Sequence, residues 1–200
     1  VEALISGSFN SVFTAYQRDY HTCPQSTAAN AHASSWGNCG MRYSREDPRI
    51  AYNNDPSYSY NNVAESPWGD SYGALAGARD GLAAIDGGVV IEDASGVNVT
   101  PRAQAFGKLV QGLALGNIAR IFDQGFIVDE NTDLEAIEFV PADQVYAAAM
   151  QKFDEAQQLA QSNSFTIPSD WVGFGGEWSS SDMAQFIKAF KVRLMIQMPR

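Results

Sequence analysis

The stretch TPRAQAFGKLVQGLALGNIARIFDQG, residues 100–125, constrains the fold more than any other part of the chain. It is apolar on nearly every side, yet it carries glycines at 107, 112 and 116. Its longest uncharged run, between Lys108 and Arg120, holds only 11 residues (109–119), and a membrane span needs about 20. The other solution is a helix enclosed by helices. A helix that is hydrophobic all round is buried, and glycine lets a neighbouring backbone come close. The rest of the chain must supply those neighbours. With 200 residues, 45% of them apolar, it has enough material for one domain with a substantial core.

Four further helices can be read at the spacing of three and four residues that marks a buried stripe. The first carries Ile5, Phe9, Val12, Phe13, Tyr16 and Tyr20. The second opens with Ser66 as N-cap and Pro67 at the first helical position. Trp68, Tyr72, Leu75, Arg79 and Leu82 share one of its faces, and Gly87-Gly88 ends it. The third is the opening stretch, with Thr100 as N-cap, Pro101 at N1, and Phe106, Leu109, Val110, Leu113 and Ile121 as its main stripe. The fourth follows Pro141 with Val145, Ala149, Phe153, Ala156 and Ala160, and the fifth begins near Ser181 or Asp182 with Phe186, Ile187, Phe190 and Leu194. No strong stretch alternates with period two, so the expected class is all-α. Tyr146, Ala149, Phe153 and Ala156 alternate large and small as tetratricopeptide-type helix pairs do, although no repeat of fixed period aligns along the chain. The expectation is a tetratricopeptide-like helical stack forming a single domain over residues 1–200.

Residues 21–66 stand outside this scheme. They are rich in Ser, Asn, Tyr and Gly, have no periodicity, and hold Trp36, Tyr43, Tyr52, Tyr58 and Tyr60. A structureless loop of that length is functional or disordered, and disordered segments are depleted in aromatics. An ordered excursion over one end of the stack is therefore expected. Cys23 and Cys39 both lie in it, and their closeness suggests a disulfide and an oxidising compartment, the alternative being two unpaired thiols. Closing such a loop of about 15 residues would contribute roughly 3 kcal/mol on chain-entropy grounds.

The chemistry on offer is that of binding. With 13 Lys plus Arg against 23 Asp plus Glu, a net charge of −10 and no basic stripe, nucleic acid is not an expected partner. The two histidines, His21 and His32, have no metal-ligand partner at a recognisable offset, and no nucleophile-elbow, phosphate-loop or dinucleotide fingerprint occurs. The glycine cluster VGFGGEW (172–178) reads as a loop. No catalytic residue, metal or cofactor is expected, and the chain is not read as an enzyme. Asp129, Asn131 and Asp133 match the first positions of a calcium loop, but Leu134 stands where glycine is required and Val140 where glutamate is. The default is a solvated acidic connector, with a looser calcium site as the alternative. The sequon at 98–100 is better used to cap a helix. In the long loop, Trp36, Tyr43, Tyr52 and Tyr60 offer flat faces that stack on sugar rings, while Asn38, Arg42, Asn53 and Asn61 offer planar hydrogen-bonding groups. These eight residues are the candidate ligand site; the bland alternative is that the aromatics anchor the loop.

The segments ALISGSFNSVFTAYQ, WGDSYGALAGARDGLAAID, RAQAFGKLVQGLALGNIARIFDQG, VPADQVYAAAMQKFDEAQQLA and SSDMAQFIKAFKVRLMIQ, in that order, resemble the SusD/RagB family of outer-membrane nutrient-binding lipoproteins. The resemblance implies a tetratricopeptide-like scaffold on the extracellular face of the outer membrane, held by an amino-terminal lipid anchor that this chain does not carry. It also implies a TonB-dependent transporter barrel as partner, with oligosaccharides or peptides as ligands. Family members are typically more than twice this long. The chain begins at Val1 and stops in or just after the apolar helix AFKVRLMIQMPR, so truncation at both ends is expected. The turn FDQGFIVDE departs from the Gly-x-Val-Pro-like turn that often follows the third helix. The ligand residues form no fixed motif in that family, so none is transferred. A competing reading is a helical-repeat assembly, scaffold or filament protein without a small ligand.

Overall fold

The computed structural model describes residues 1–17, 19–29, 31, 40–41, 44, 53, 55–173 and 175–198, with the backbone alone for 19–21. The fold is all-α. Among the described residues its main helices are α1 (Glu2–Gln17), α2 (Asp19–Ala28), α3 (Asn62–Asp86), α4 (Thr100–Ile121), α5 (Ala142–Ser162), α6 (Ser169–Val172) and α7 (Ser180–Gln197). Two antiparallel ribbons of two residues per strand brace the connections. β1 (Gln124–Gly125) pairs with β2 (Val140–Pro141), and β3 (Thr166–Ile167) with β4 (Trp178–Ser179).

Most of each apolar stripe read from the sequence is buried, but Phe13 faces solvent at 53% exposed, and Tyr16, Trp68, Tyr72, Ile121, Phe186 and Phe190 are half-buried. Ile5, Phe9 and Val12 of α1, Leu75 of α3, Val145, Ala149, Phe153, Ala156 and Ala160 of α5, and Ile187 and Leu194 of α7 all lie in one core, and Leu82 of α3 is buried as well. In α4 burial is not confined to a stripe: every residue from Leu109 to Ala119 is buried. Its neighbours run in alternating directions. Arg102 and Phe106 of α4 meet Glu2 and Phe9 of α1, which fixes those helices as parallel. Asn117 meets Ser71 while Gly107 meets Leu82, which makes α3 antiparallel to α4.

The glycines of α4 explain how so many neighbours fit. A Cβ on Gly107 would stand 3.0 Å from Leu82 of α3, one on Gly112 2.8 Å from the Phe153 ring of α5, and one on Gly116 3.0 Å from Leu194 of α7. Each glycine is a socket for one large side chain from a different helix. This corrects the expectation that backbones pack there: ridges enter grooves as side chains, and removing a Cβ deepens the groove just where the knob is largest. Backbone proximity occurs instead between α1 and α3, where Gly77 and Gly81 face Ser8 and Ile5 and lie near the carbonyls of Leu4 and Val1.

Several boundaries differ from those expected. The first ten residues of the supposed 21–66 excursion are partly helical, since α2 runs to Ala28 with Pro24 inside it and Thr27 donating to the Cys23 carbonyl at 2.8 Å. α3 starts at Asn62, not after Ser66. The turn 56–61, closed by Asn61 Nδ2 on the Pro56 carbonyl at 3.0 Å, feeds straight into it, and Pro67 lies buried within the helix. Thr100 is the first residue of α4 and not its cap. Its hydroxyl accepts the Ile91 N–H at 2.9 Å, and Asn98 Oδ1 takes up the Thr100 N–H. α7 starts at Ser180 behind a capping box, with Ser179 accepting from the Asp182 N–H and Asp182 accepting from the Ser179 N–H. Among the described residues no helix is long and apolar enough to cross a membrane.

Candidate functional site

The carboxyl end of α4 opens onto an aromatic cluster. Trp68 and Tyr72, one turn apart on α3, lie 4.6 Å from each other between ring centroids; Phe122 meets Trp68 edge-on at 4.9 Å. The connector of residues 122–141 adds Phe126 and Phe139, stacked on each other at 3.9 Å, with Phe139 also 6.0 Å from Trp68. The β1–β2 ribbon brings Phe126 and Phe139 together from thirteen positions apart by pairing Gly125 with Val140. Tyr72 pins the arrangement. Its hydroxyl accepts the Phe126 N–H and faces the Phe126 carbonyl at 3.1 Å, and burial pushes its pKa up to about 12. Phe139 is nonetheless 56% exposed. It is the one ring of the cluster that lies mostly in water.

Beside this cluster lies a groove of about 710 Å³ lined by Gln25 of α2, Val63 and Ala64 of α3, Ile121 to Gln124 and Pro141. Its lining combines apolar residues with the amides of Gln25 and Gln124 and the carboxylate of Asp123, a composition that can fix a ligand's orientation by a few polar groups. Both flanks of the long loop border it, α2 on one side and the start of α3 on the other.

The connector itself is clamped by charge. Glu130, whose side chain is 4% exposed, accepts from Lys108 of α4 and from Gln111 Nε2 at 2.8 Å. Lys152 of α5, 6% exposed, reaches Asp129 at 2.9 Å and Glu155 at 3.4 Å; Lys108 reaches Glu155 at 2.7 Å. Burial acts to raise the Glu130 carboxyl, but the Lys108 and Gln111 hydrogen bonds outweigh it and leave the pKa below the usual value. Asp129 and Glu155 follow the same balance and are also lowered. Burial acts to lower the Lys108 ammonium, and the hydrogen bonds of Glu130 and Glu155 outweigh it, so its pKa rises to about 12. Of the stretch read as a solvated acidic connector, Asp129 and Glu130 are anchored by two lysines, while Asp133, Glu135 and Glu138 are exposed as expected. Among the described residues no group of three or more His, Cys, Asp or Glu is placed to hold a metal ion.

Of the residues singled out in the sequence, Trp36, Asn38, Arg42, Tyr43 and Tyr52 lie outside the described residues, as do His32 and Cys39. Cys23 is half-buried in α2. Asn53 is exposed and its Oδ1 accepts the Asp55 N–H, while Asn61 is spent on the turn before α3. Tyr60 packs edge-on against Tyr58 at 5.7 Å and next to Gly40, whose φ of 70° places it in the left-handed region. These three residues serve turns and loop packing next to the groove. The cluster of Trp68, Phe122, Phe126 and Phe139 went unread as a site. Trp68 and Tyr72 looked like core stripe, and the phenylalanines sit in a segment whose acidic letters dominated. Neither a protein-family model nor a curated protein nor a solved structure matches the chain.

Proposed function

We propose that this chain is a ligand-capturing unit of a surface nutrient-uptake system, a SusD/RagB-like subunit that binds oligosaccharides or peptides and delivers them to a TonB-dependent transporter of the outer membrane. The single observation that carries the binding part is the exposed Phe139–Phe126 stack beside an amide- and carboxylate-rimmed groove. Aromatic faces remove the apolar side of a sugar ring or peptide side chain from water, while planar amides read its polar edge. The delivery part rests on the resemblance alone. Isothermal titration calorimetry against neutral oligosaccharides and short peptides tests the binding part. Phe139→Ala should weaken binding by roughly 1–3 kcal/mol, the range for loss of one stacking platform, and should barely move the Tm because the ring is already half in water. Unchanged affinity in Phe139→Ala would remove the Phe139–Phe126 stack as the ligand platform.

A second reading, assembly without a small ligand, draws on α7. Val192, Met195 and Ile196 are exposed on it, Ile196 to 72%, and an apolar stripe of that kind suits a protein partner. Monodisperse monomers at high concentration by sedimentation would count against it.

A further inference from the structure

A second groove, of about 530 Å³, lies between α1 and α6 and is lined by Ser6, Gly7, Phe9, Asn10 and Phe13 on one side and residues 170–173 on the other. It flanks the amino-terminal half of α4, where Phe106 contacts both Phe9 at 5.4 Å and Trp171 at 5.0 Å, away from the groove described above. Three features set it apart from an ordinary surface depression. α1 presents to it Ser6, Gly7 and Asn10, all poor helix formers. Packing does not demand a glycine there: a Cβ on Gly7 would meet nothing within 4 Å, unlike Gly107, Gly112 and Gly116, which each receive a side chain. The walls are aromatic, with Phe13 53% exposed and Trp171 held in place by Phe106. Among the described residues that line it, Asp170 is the only ionisable one. Arg102, 5.2 Å from the Trp171 ring, is already paired with Glu2 at 2.5 Å. An exposed carboxylate lining the same groove as two aromatic side chains, on a chain of net charge −10, is chemistry for a cation that is also partly apolar.

We propose that this groove is a binding site for a small organic ammonium ion, with its charge against Asp170 and the Phe13 ring, the Trp171 ring being already covered by Arg102, and its hydrocarbon part over Gly7. The inference is independent of the nutrient-binding reading, because the two grooves share no residue. The test is calorimetry on the full chain at neutral pH with phenethylammonium and its neutral isostere 2-phenylethanol. Phenethylammonium should bind about tenfold or more tightly than the alcohol, the combined worth of one cation–π contact and one exposed ion pair. Asp170→Asn should collapse that ratio toward one. Gly7→Leu fills the groove from a position with free space and should abolish binding of both probes without lowering the Tm. Should Gly7→Leu destabilise the fold, Phe13→Ala, on a ring already half in water, replaces it and should likewise abolish binding. Equal affinity for the two probes, no binding of either, a ratio unmoved by Asp170→Asn, or binding retained in the groove variants each overturns the proposal.

Discussion

Lys152→Met tests whether the clamp on the 122–141 connector holds the fold together. Methionine keeps the length and apolar stem of the side chain but leaves Asp129 without the ammonium 2.9 Å away and takes one of two cations from Glu130 and Glu155. Removing one partner of a buried pair costs about 3–5 kcal/mol when the other charge is left uncompensated. Here Lys108 still serves Glu130 and Glu155, and Asp129 is partly in water, so roughly 2–3 kcal/mol is expected. For a chain of this length that is a fall in Tm of roughly 5–10 °C. The pH dependence gives an independent reading. Asp129, Glu130 and Glu155 all have folded pKa values below their ordinary ones. Their contribution is therefore complete above an unfolded carboxyl pKa of about 4 and is lost as pH falls through the lower folded values. The Lys108 value, raised to about 12, adds stability that is lost only in strong alkali. Scanning calorimetry from about pH 6 to about pH 3 should show a steep acid limb for the parent chain. The limb should be shallower for Lys152→Met, because Asp129 then has less reason to stay ionised. A variant as stable as the parent, or one with an equally steep acid limb, would refute the clamp.

Further outcomes follow from the packing. Gly112→Leu should cost about 1–3 kcal/mol by overpacking the Phe153 socket, and Phe153→Ala about 3–5 kcal/mol by emptying it, both read from urea unfolding midpoints. A Gly112→Leu protein as stable as the parent would mean that α4 is not central. Ser179→Ala should lose about 0.5–2 kcal/mol with the capping box of α7; a thermal midpoint unchanged within error would show that the box does not hold that helix. Trp36→Ala and Tyr43→Ala should weaken oligosaccharide or peptide binding by roughly 1–3 kcal/mol each if the long loop forms part of the ligand surface; unfolding of both variants would instead make them anchors. Thiol labelling of denatured, unreduced protein should find no reactive cysteine if Cys23 and Cys39 are bonded, and two labelled thiols would exclude the bond.

What could be read from the letters was what repeats. The stripe of α5 is a period-3.6 pattern of apolar residues, and each of its five members is buried. α4 announced its burial by lacking any polar face. α2 left no such trace. DYHTCPQSTA has low helix propensity, a proline inside, and is helical because it packs on the start of α3. The ribbons β1–β2 and β3–β4 are two residues per strand, too short for alternation to register. Proline misled at Ser66-Pro67. The rule that proline sits in the first turn is a preference, and here the turn at 56–61 had already started the helix.

The clamp shows most clearly why a one-dimensional reading stops where it does. Lys108 is the one charge between Arg102 and Arg120 of α4, and Lys152 stands next to Asp154 and Glu155 in α5, so each looks like a residue that snorkels from the helix edge to water. Asp129 and Glu130 look like ordinary connector residues. Only the antiparallel register of α4 and α5, with Gly112 against Phe153 and Gly116 against Ala149, puts the two lysines on the same level of the core. Only the β1–β2 ribbon, with Gly125 opposite Val140, turns the connector back over them. The charges were visible in the sequence and their partners were not, because the distance from Lys108 to Glu130 is set by a helix pairing that spans the whole length of α4. The same geometry places Phe126 and Phe139 on one side of the clamp. A connector held by buried ion pairs, with Trp68 and Tyr72 packed against Phe126, keeps its aromatic stack fixed and leaves the Phe139 face available to water or to a ligand.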